Sequence, residues 1–153
     1  MRIYLGLGTN LGDKELNLRV AVQKIEERIG KVISLSAFYA TAPWGFQSDN
    51  NFLTAAAGVE TSLSPFDILE RTQRIEQEIG RLHKSHDGVY SDRLIDIDLL
   101  LYGDKILQDE RLSLPHPLMA ERKFVLEPLA EIAPDVVHPV LHKTIRELFL
   151  VLS

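Results

Sequence analysis

Apolar and polar positions along the chain follow two periods, and each change of period marks an element. Arg2 to Leu7 reads as a strand, closed by a Gly/Asn/Asp-rich stretch from Gly8 to Asp13. Asp13 is a suitable N-cap for a helix whose stripe is Leu18, Val22, Ile25 and Ile29, with Gly30 as its stop. Val32 to Tyr39 is β-rich and predicts a second strand, and Ala40 to Asn50, with Pro43, Gly45 and the sole tryptophan Trp44, predicts a loop. Phe52 to Glu60 predicts a third strand. In Ser64-Pro65-Phe66-Asp67, serine serves as N-cap, proline as first helical residue and aspartate as the partner in a capping box. Ile68, Thr72, Ile75 and Ile79 continue as the buried stripe, and Gly80 is expected to end this helix.

Arg81 to Asp92 lacks apolar periodicity and contains Gly88, so a mobile loop is expected there. Leu94 to Tyr102 is the clearest strand, stopped by Gly103-Asp104. A short strand near Ile106, a rigid Pro115-His116-Pro117 turn and a helix from about Phe124 to Ile132 follow. The capping box Thr144-Ile145-Arg146-Glu147 opens a last helix leading into Leu148 to Leu152. The order over the first two-thirds is that of a split βαβ unit. The expected fold is α+β: a ferredoxin-like βαββαβ sandwich, with a mostly antiparallel sheet and helices packed on it.

Composition narrows the classes. A chain of 153 residues, 45% apolar and 25% charged, suits one globular domain spanning 1–153. The net charge of 17 − 22 = −5 argues against a nucleic-acid coat, which needs a basic face. With no cysteine, disulfides and thiolate chemistry are excluded. The first residues meet glycine too soon for a signal peptide, and no run approaches the ~20 apolar residues of a membrane helix. A soluble, cytoplasmic monomer is expected, with neither nucleic acid nor membrane as partner.

Candidate chemistry centres on Asp96-Ile97-Asp98. On a strand the two carboxylates share a face at a spacing of ~6.6 Å, while Ile95, Ile97 and Leu99 anchor the other face. Adjacent like charges of low strand propensity suit a magnesium ion, which takes one or two carboxylates and completes its shell with water and phosphates. A solvated strand face is the plain alternative. Arg81, His83, Lys84, His86 and Arg93 lie just upstream and suit a nucleotide triphosphate, or simply offset Asp87 and Asp92 in a solvated loop. Gln73 and Glu76 share a helix face and could reach a nucleotide, or remain surface polar residues. Gly6 to Gly12 has the spacing GxGxxxG, which is neither a dinucleotide fingerprint nor a P-loop. His116, held between two prolines, either binds phosphate or sits exposed on a capped turn.

These segments together resemble the 6-hydroxymethyl-7,8-dihydropterin pyrophosphokinase family nearly end to end. The likeness is carried by Gly6-Leu7-Gly8-Thr9-Asn10-Leu11-Gly12, Tyr39-Ala40-Thr41-Ala42-Pro43-Trp44-Gly45 and Thr72-Gln73-Arg74-Ile75-Glu76 through Gly80-Arg81. It continues in Asp92-Arg93-Leu94-Ile95-Asp96-Ile97-Asp98, Arg111-Leu112-Ser113-Leu114-Pro115-His116-Pro117 and Arg122-Lys123-Phe124-Val125-Leu126-Glu127-Pro128-Leu129. The resemblance implies pyrophosphoryl transfer from ATP to the pterin hydroxymethyl oxygen, a step of folate synthesis that releases AMP. It implies two magnesium ions, bound with ATP, on Asp96 and Asp98, and Arg81 and Arg93 steadying the transferred group. Gln73, Glu76, His83, Lys84, Arg111, Ser113, His116 and Arg122 would bind ATP. Thr41, Ala42, Trp44 and Thr54 would meet the pterin, whose ring would lie between Phe52 and Phe124. Asp98 is one candidate to take the hydroxyl proton.

This chain departs from the family pattern in three places. Thr54 replaces the usual pterin-binding asparagine, His83 replaces an arginine, and Val89-Tyr90 replaces the tryptophan of the loop from Ser85 to Asp92. Two rival readings remain from the residues alone: another Asp-x-Asp metal enzyme, or a non-catalytic pterin- or nucleotide-binding module.

Overall fold

The computed structural model describes residues 1–41, 51–82 and 94–153. Strand β1 (Arg2–Thr9) leads through a capped turn into α1 (Lys14–Arg28), then β2 (Lys31–Leu35), β3 (Tyr39–Thr41) and β4 (Phe52–Glu60). Helix α2 (Pro65–Leu82), β5 (Asp96–Tyr102), β6 (Leu107–Gln108) and β7 (Ser113–Leu114) come next. A 3-10 turn (Met119–Glu121), α3 (Lys123–Ile132) and α4 (Ile145–Leu152) complete the chain. The main sheet runs β2-β4-β1-β5, with β3 also on β4, and every pairing is antiparallel. The short strands β6 and β7 form a separate two-stranded ribbon.

Strand alternation sorts the core into two layers. On one face Ile3, Leu5, Leu7, Ala55, Ala57, Val59, Ile97 and Leu99 meet Leu18, Ala21 and Ile25 of α1 and Ile68, Ile75 and Ile79 of α2. On the other, Tyr4, Ala56, Leu100 and Leu101 meet Leu126 and Leu129 of α3 and Ile145 and Leu148 of α4. Each large side chain so buried contributes roughly 1.5–3 kcal/mol. The buried run Ala55-Ala56-Ala57 lets helices approach the middle of the sheet from both sides. Tyr4 pairs with Leu101 and Leu5 with Leu99, so Leu100 is the extra residue of a bulge and joins Leu101 in the second layer.

The caps form as their chemistry dictates. Asp13 accepts from Leu16 N–H at 3.1 Å, and Ser64 Oγ accepts from Asp67 N–H at 3.2 Å. Thr144 and Glu147 close a full capping box at 3.1 and 2.9 Å. Gly12 adopts φ 69, and buried Asn17 donates to Leu11 O at 2.9 Å and Thr9 Oγ1 at 3.3 Å, fastening the turn before α1.

Three expectations are corrected. The strand expected over 32–39 is broken, because Ala56 N–H is taken by Ser36 Oγ at 2.9 Å while Ser36 N–H bonds Ala56 O. The hydroxyl stands in for the next ladder carbonyl, and the chain leaves the sheet before re-entering as β3. Gly80 does not end α2, which runs on to Leu82. A glycine ends a helix by turning left-handed, and among the described glycines only Gly12 and Gly103 have positive φ. Finally, β1 extends two residues beyond Leu7, to Thr9, and carries Gly8 into the sheet.

The first helical layer is tied by Glu78, which pairs with Lys24 at 3.2 Å and with both terminal nitrogens of Arg28. These bonds, from Arg28 first and then Lys24, hold its carboxyl down at about 2, against an ordinary 4.5. A depressed folded-state pKa stabilises above the unfolded value and loses that contribution as pH falls through the folded one. Acidification from pH 4.5 to 2 should therefore lower the melting temperature of wild type more than that of Glu78→Gln, a difference that parallel thermal melts would read.

Candidate active site

The candidate site lies at one end of the sheet, on the face covered by α3. Three strands build its floor in register. Gly8 of β1 stands between Thr54 of β4 and Asp96 of β5, and Gly6 stands between Ala56 and Asp98. With strands ~4.8 Å apart, each row spans ~9.6 Å across a residue without a side chain. A methyl at Gly8 would lie 3.7 Å from the Phe52 ring edge and 3.9 Å from the Thr54 methyl, in the space these residues enclose. Phe52 and Phe124 stand over this shelf, and with Val125, Asp96 and Asp98 they line a slot of about 50 Å³. That exceeds one water's share of roughly 30 Å³ only slightly.

Asp96 and Asp98 are half-buried on the slot face, and Ile97 and Leu99 are buried behind them, as strand alternation requires. Glu76 reaches the same place from α2, where its Oε2 accepts from Ile97 N–H at 2.7 Å. Its carboxyl is raised to about 7, by burial first and by the charges of Asp96 and Asp98, with the bond from Ile97 opposing. Three acidic groups thus converge at the outer edge of β5, and a cation would relieve their repulsion. His116 is tied to the same strand, its N–H bonding Leu100 O at 2.9 Å. Its Nδ1 accepts from Leu118 N–H at 3.2 Å, which leaves the proton of the neutral ring on Nε2. Burial first, then Arg122, lower its pKa, and Asp96 opposes them. The Arg122 guanidinium lies 5.7 Å from the Phe124 ring centroid, over that wall of the slot.

Other candidate residues fall elsewhere. Thr54 is buried, and its hydroxyl donates to Tyr39 O at 3.4 Å, so the methyl faces the shelf. Thr41 pairs with Phe52 at the end of β3. Arg111 leans on α2, 5.3 Å over the Phe66 ring and 3.8 Å from Glu70, and Gln73 is exposed on that helix. Ser113 and His116 line a second, open cavity of about 620 Å³ with Gln108, Pro117, His138 and Leu141. Arg81 falls in the last turn of α2, whereas Ala42, Trp44, His83, Lys84 and Arg93 lie outside the described residues. Sequence reasoning missed the glycine shelf. Its signal was the period-two spacing of Gly6 and Gly8, which points both to one strand face once β1 is known to continue through them.

Fold and slot together define an α+β protein with a candidate small-molecule site at the acidic end of its sheet. The family model for 7,8-dihydro-6-hydroxymethylpterin-pyrophosphokinase matches residues 4–134. A 2-amino-4-hydroxy-6-hydroxymethyldihydropteridine pyrophosphokinase from Porphyromonas gingivalis is 48% identical over 139 residues, covering 90% of this chain and 93% of its own. The protein of the same name from Aquifex aeolicus is 38% identical over 145 residues, covering 95% and 88%. Among solved structures, wild-type Plasmodium falciparum HPPK-DHPS superposes over 99% of this chain with a TM-score of 0.78 at 18% identity, a likeness of fold. This chain spans 44% of that longer one. The chain belongs to the 7,8-dihydro-6-hydroxymethylpterin-pyrophosphokinase family.

Proposed function

We propose that this chain transfers a pyrophosphoryl group from ATP to the hydroxymethyl oxygen of 6-hydroxymethyl-7,8-dihydropterin, a step of folate synthesis that yields the pterin diphosphate and AMP. Family membership supports the reaction. The observation that carries the reading onto this molecule is the glycine shelf, walled by two phenyl rings and ended by two carboxylates. A flat heteroaromatic ring takes stacking faces above and below it and a few placed polar groups at its edge. In this reading the ring slides between Phe52 and Phe124, and its hydroxymethyl group is directed towards Asp96 and Asp98.

The hydroxymethyl oxygen attacks the β-phosphorus of ATP, the bond from that phosphorus to the α–β bridging oxygen breaks, and AMP leaves. Asp98 is one candidate to take the hydroxyl proton. Two half-buried carboxylates beside a third suit magnesium, and Asp96 and Asp98 are the residues we assign to hold two ions together with ATP. Such ions supply neutralisation of phosphate charge. His116 offers Nε2–H and Arg122 its guanidinium on the phosphate side, with Arg81, His83, Lys84 and Arg93 as further cations. Gln73, Glu76, Arg111 and Ser113 complete the nucleotide contacts, and Thr41, Ala42 and Trp44 those to the pterin. Since the Thr54 hydroxyl is engaged by Tyr39 O, backbone groups carry more of the pterin's hydrogen bonding. Catalysis of this kind rests on positioning and charge stabilisation.

We also read the chain as one cytoplasmic, monomeric domain. The strand order β2-β4-β1-β5 with two crossing helices supports a ferredoxin-like frame, extended by β3 and the C-terminal helices. Among the described residues no helix is long and apolar enough to cross a membrane. Product analysis tests the reaction: purified protein with magnesium, ATP and the pterin alcohol should form AMP and pterin diphosphate in equal amounts. Formation of ADP, or of free pyrophosphate, would overturn it.

A further inference from the structure

Glu131 has no place in the chemistry above, yet its carboxylate collects three hydrogen bonds from residues 92 and 94 positions earlier. Ala37 N–H donates to both oxygens, at 3.1 and 3.2 Å, and the Tyr39 hydroxyl donates at 2.5 Å. Ala37 lies in the break between β2 and β3, where the ladder with β4 is interrupted. The side chain of Glu131 takes up the backbone donor that the break releases. Hydrogen bonds converging on one ionised carboxylate are the strong kind.

Both ends of this strap lead to the slot. Tyr39 pairs with Thr54 and Thr41 with Phe52, and the Thr54 hydroxyl closes onto Tyr39 O. Fixing Tyr39 therefore fixes the strand that backs Phe52. On α3, Phe124 and Glu131 are seven residues apart, ~10.5 Å along the axis and within about 20° of one face. The helix that carries one aromatic wall is thereby fastened to the strand that supports the other.

Resting on the pterin reading above, we propose that Glu131 is a positioning residue, fastening α3 to Ala37 and Tyr39 and so setting the separation of the Phe124 and Phe52 walls for the pterin ring. The bond to Glu131 first, then burial and the charges of Glu131 and Glu127, push the Tyr39 phenol up to about 12 from 10. It therefore remains a donor throughout the neutral range.

Glu131→Ala tests this, with Glu131→Gln and Tyr39→Phe each keeping part of the strap. The alanine variant should raise KM for the pterin about tenfold, leaving kcat and KM for ATP within about twofold. The partial variants should fall between it and wild type. Ultraviolet titration reads the strap, because without Glu131 the Tyr39 phenol should ionise below its wild-type value, nearer its ordinary 10. A variant with the phenol so shifted but pterin KM unchanged would overturn the proposal, as would both KM values rising together with a fall in melting temperature. Calorimetry with the pterin alone reads the same point without turnover: about tenfold weaker binding by Glu131→Ala supports the strap, and equal affinity overturns it. A wild-type protein that binds pterin but forms no AMP would overturn the transfer reading alone.

Discussion

Asp96→Ala and Asp98→Ala are each expected to lower AMP formation by about 10³-fold or more, with pterin binding retained within a few-fold. Alternation along β5 places both carboxylates on the slot face, opposite Gly8 and Gly6, while Ile97 and Leu99 anchor the strand behind them. Neither aspartate forms a ring wall, so the stacking surfaces of Phe52 and Phe124 survive the substitutions. In the proposed reading, what is lost is the charge that would hold metal and phosphate in line, and such contributions act on the transition state more than on the bound substrate. The same geometry sets an opposite expectation for stability. Burial first, and then the charges of Asp96 and Asp98, raise the Glu76 carboxyl to about 7, so the two aspartates add repulsion to a group already poorly solvated. With magnesium chelated and nucleotide absent, each alanine variant should melt above wild type, a gain of roughly 0.5–2 kcal/mol. Turnover near the wild-type rate would remove the metal assignment, whereas a lower melting temperature without metal would remove the repulsion account.

Gly30→Ala should cost about 3 kcal/mol or more, the largest stability effect expected of a single methyl here. Its Cβ would lie 2.1 Å from Glu60 O, 3.0 Å from Glu60 C and 3.1 Å from Thr61 Cα, all backbone atoms. That backbone has little freedom to retreat. Glu60 pairs with Arg2 on one side and Lys31 on the other, Thr61 N–H bonds Met1 O, and the Thr61 hydroxyl bonds Ile29 O at 2.6 Å. Gly80→Ala is the matched control, since among the described residues its added methyl meets nothing within 4 Å. In a helix this exchange should be stabilising by about 0.5–1 kcal/mol. Urea midpoints of the two variants should move in opposite directions, and a Gly30→Ala protein as stable as wild type would sink the close-approach account.

These two glycines show where local reading succeeds and where it stops. Both follow an apolar helical stripe, and a stop was expected at each. At Gly30 the helix does end, but the need for glycine comes from the end of β4 pressing against it. At Gly80 the helix continues. The second strand fails for a similar reason: nothing within Val32 to Tyr39 reveals that Ser36 Oγ will capture Ala56 N–H, since that bond depends on the register with β4. The carboxylate pair on β5 needed only alternation and was readable directly. Glu76 at Ile97 N–H was not, because α2 and β5 are joined there by packing and not by spacing.

By itself the sequence determined the periods of β1, α1, β4, α2 and β5, the helix N-caps, the two aspartates on one strand face, and the kinship of the chain to its family. Each of these rests on residues a few positions apart, where backbone geometry alone decides which side chains share a face. Only the tertiary structure decided that Gly8 lies between Thr54 and Asp96 and Gly6 between Ala56 and Asp98 as a shelf, that Glu76 joins the aspartates, and that Glu131 straps α3 to Tyr39. Those contacts join residues about 20 to 90 positions apart, and strand register and helix packing choose them from many pairings that local propensity leaves equivalent.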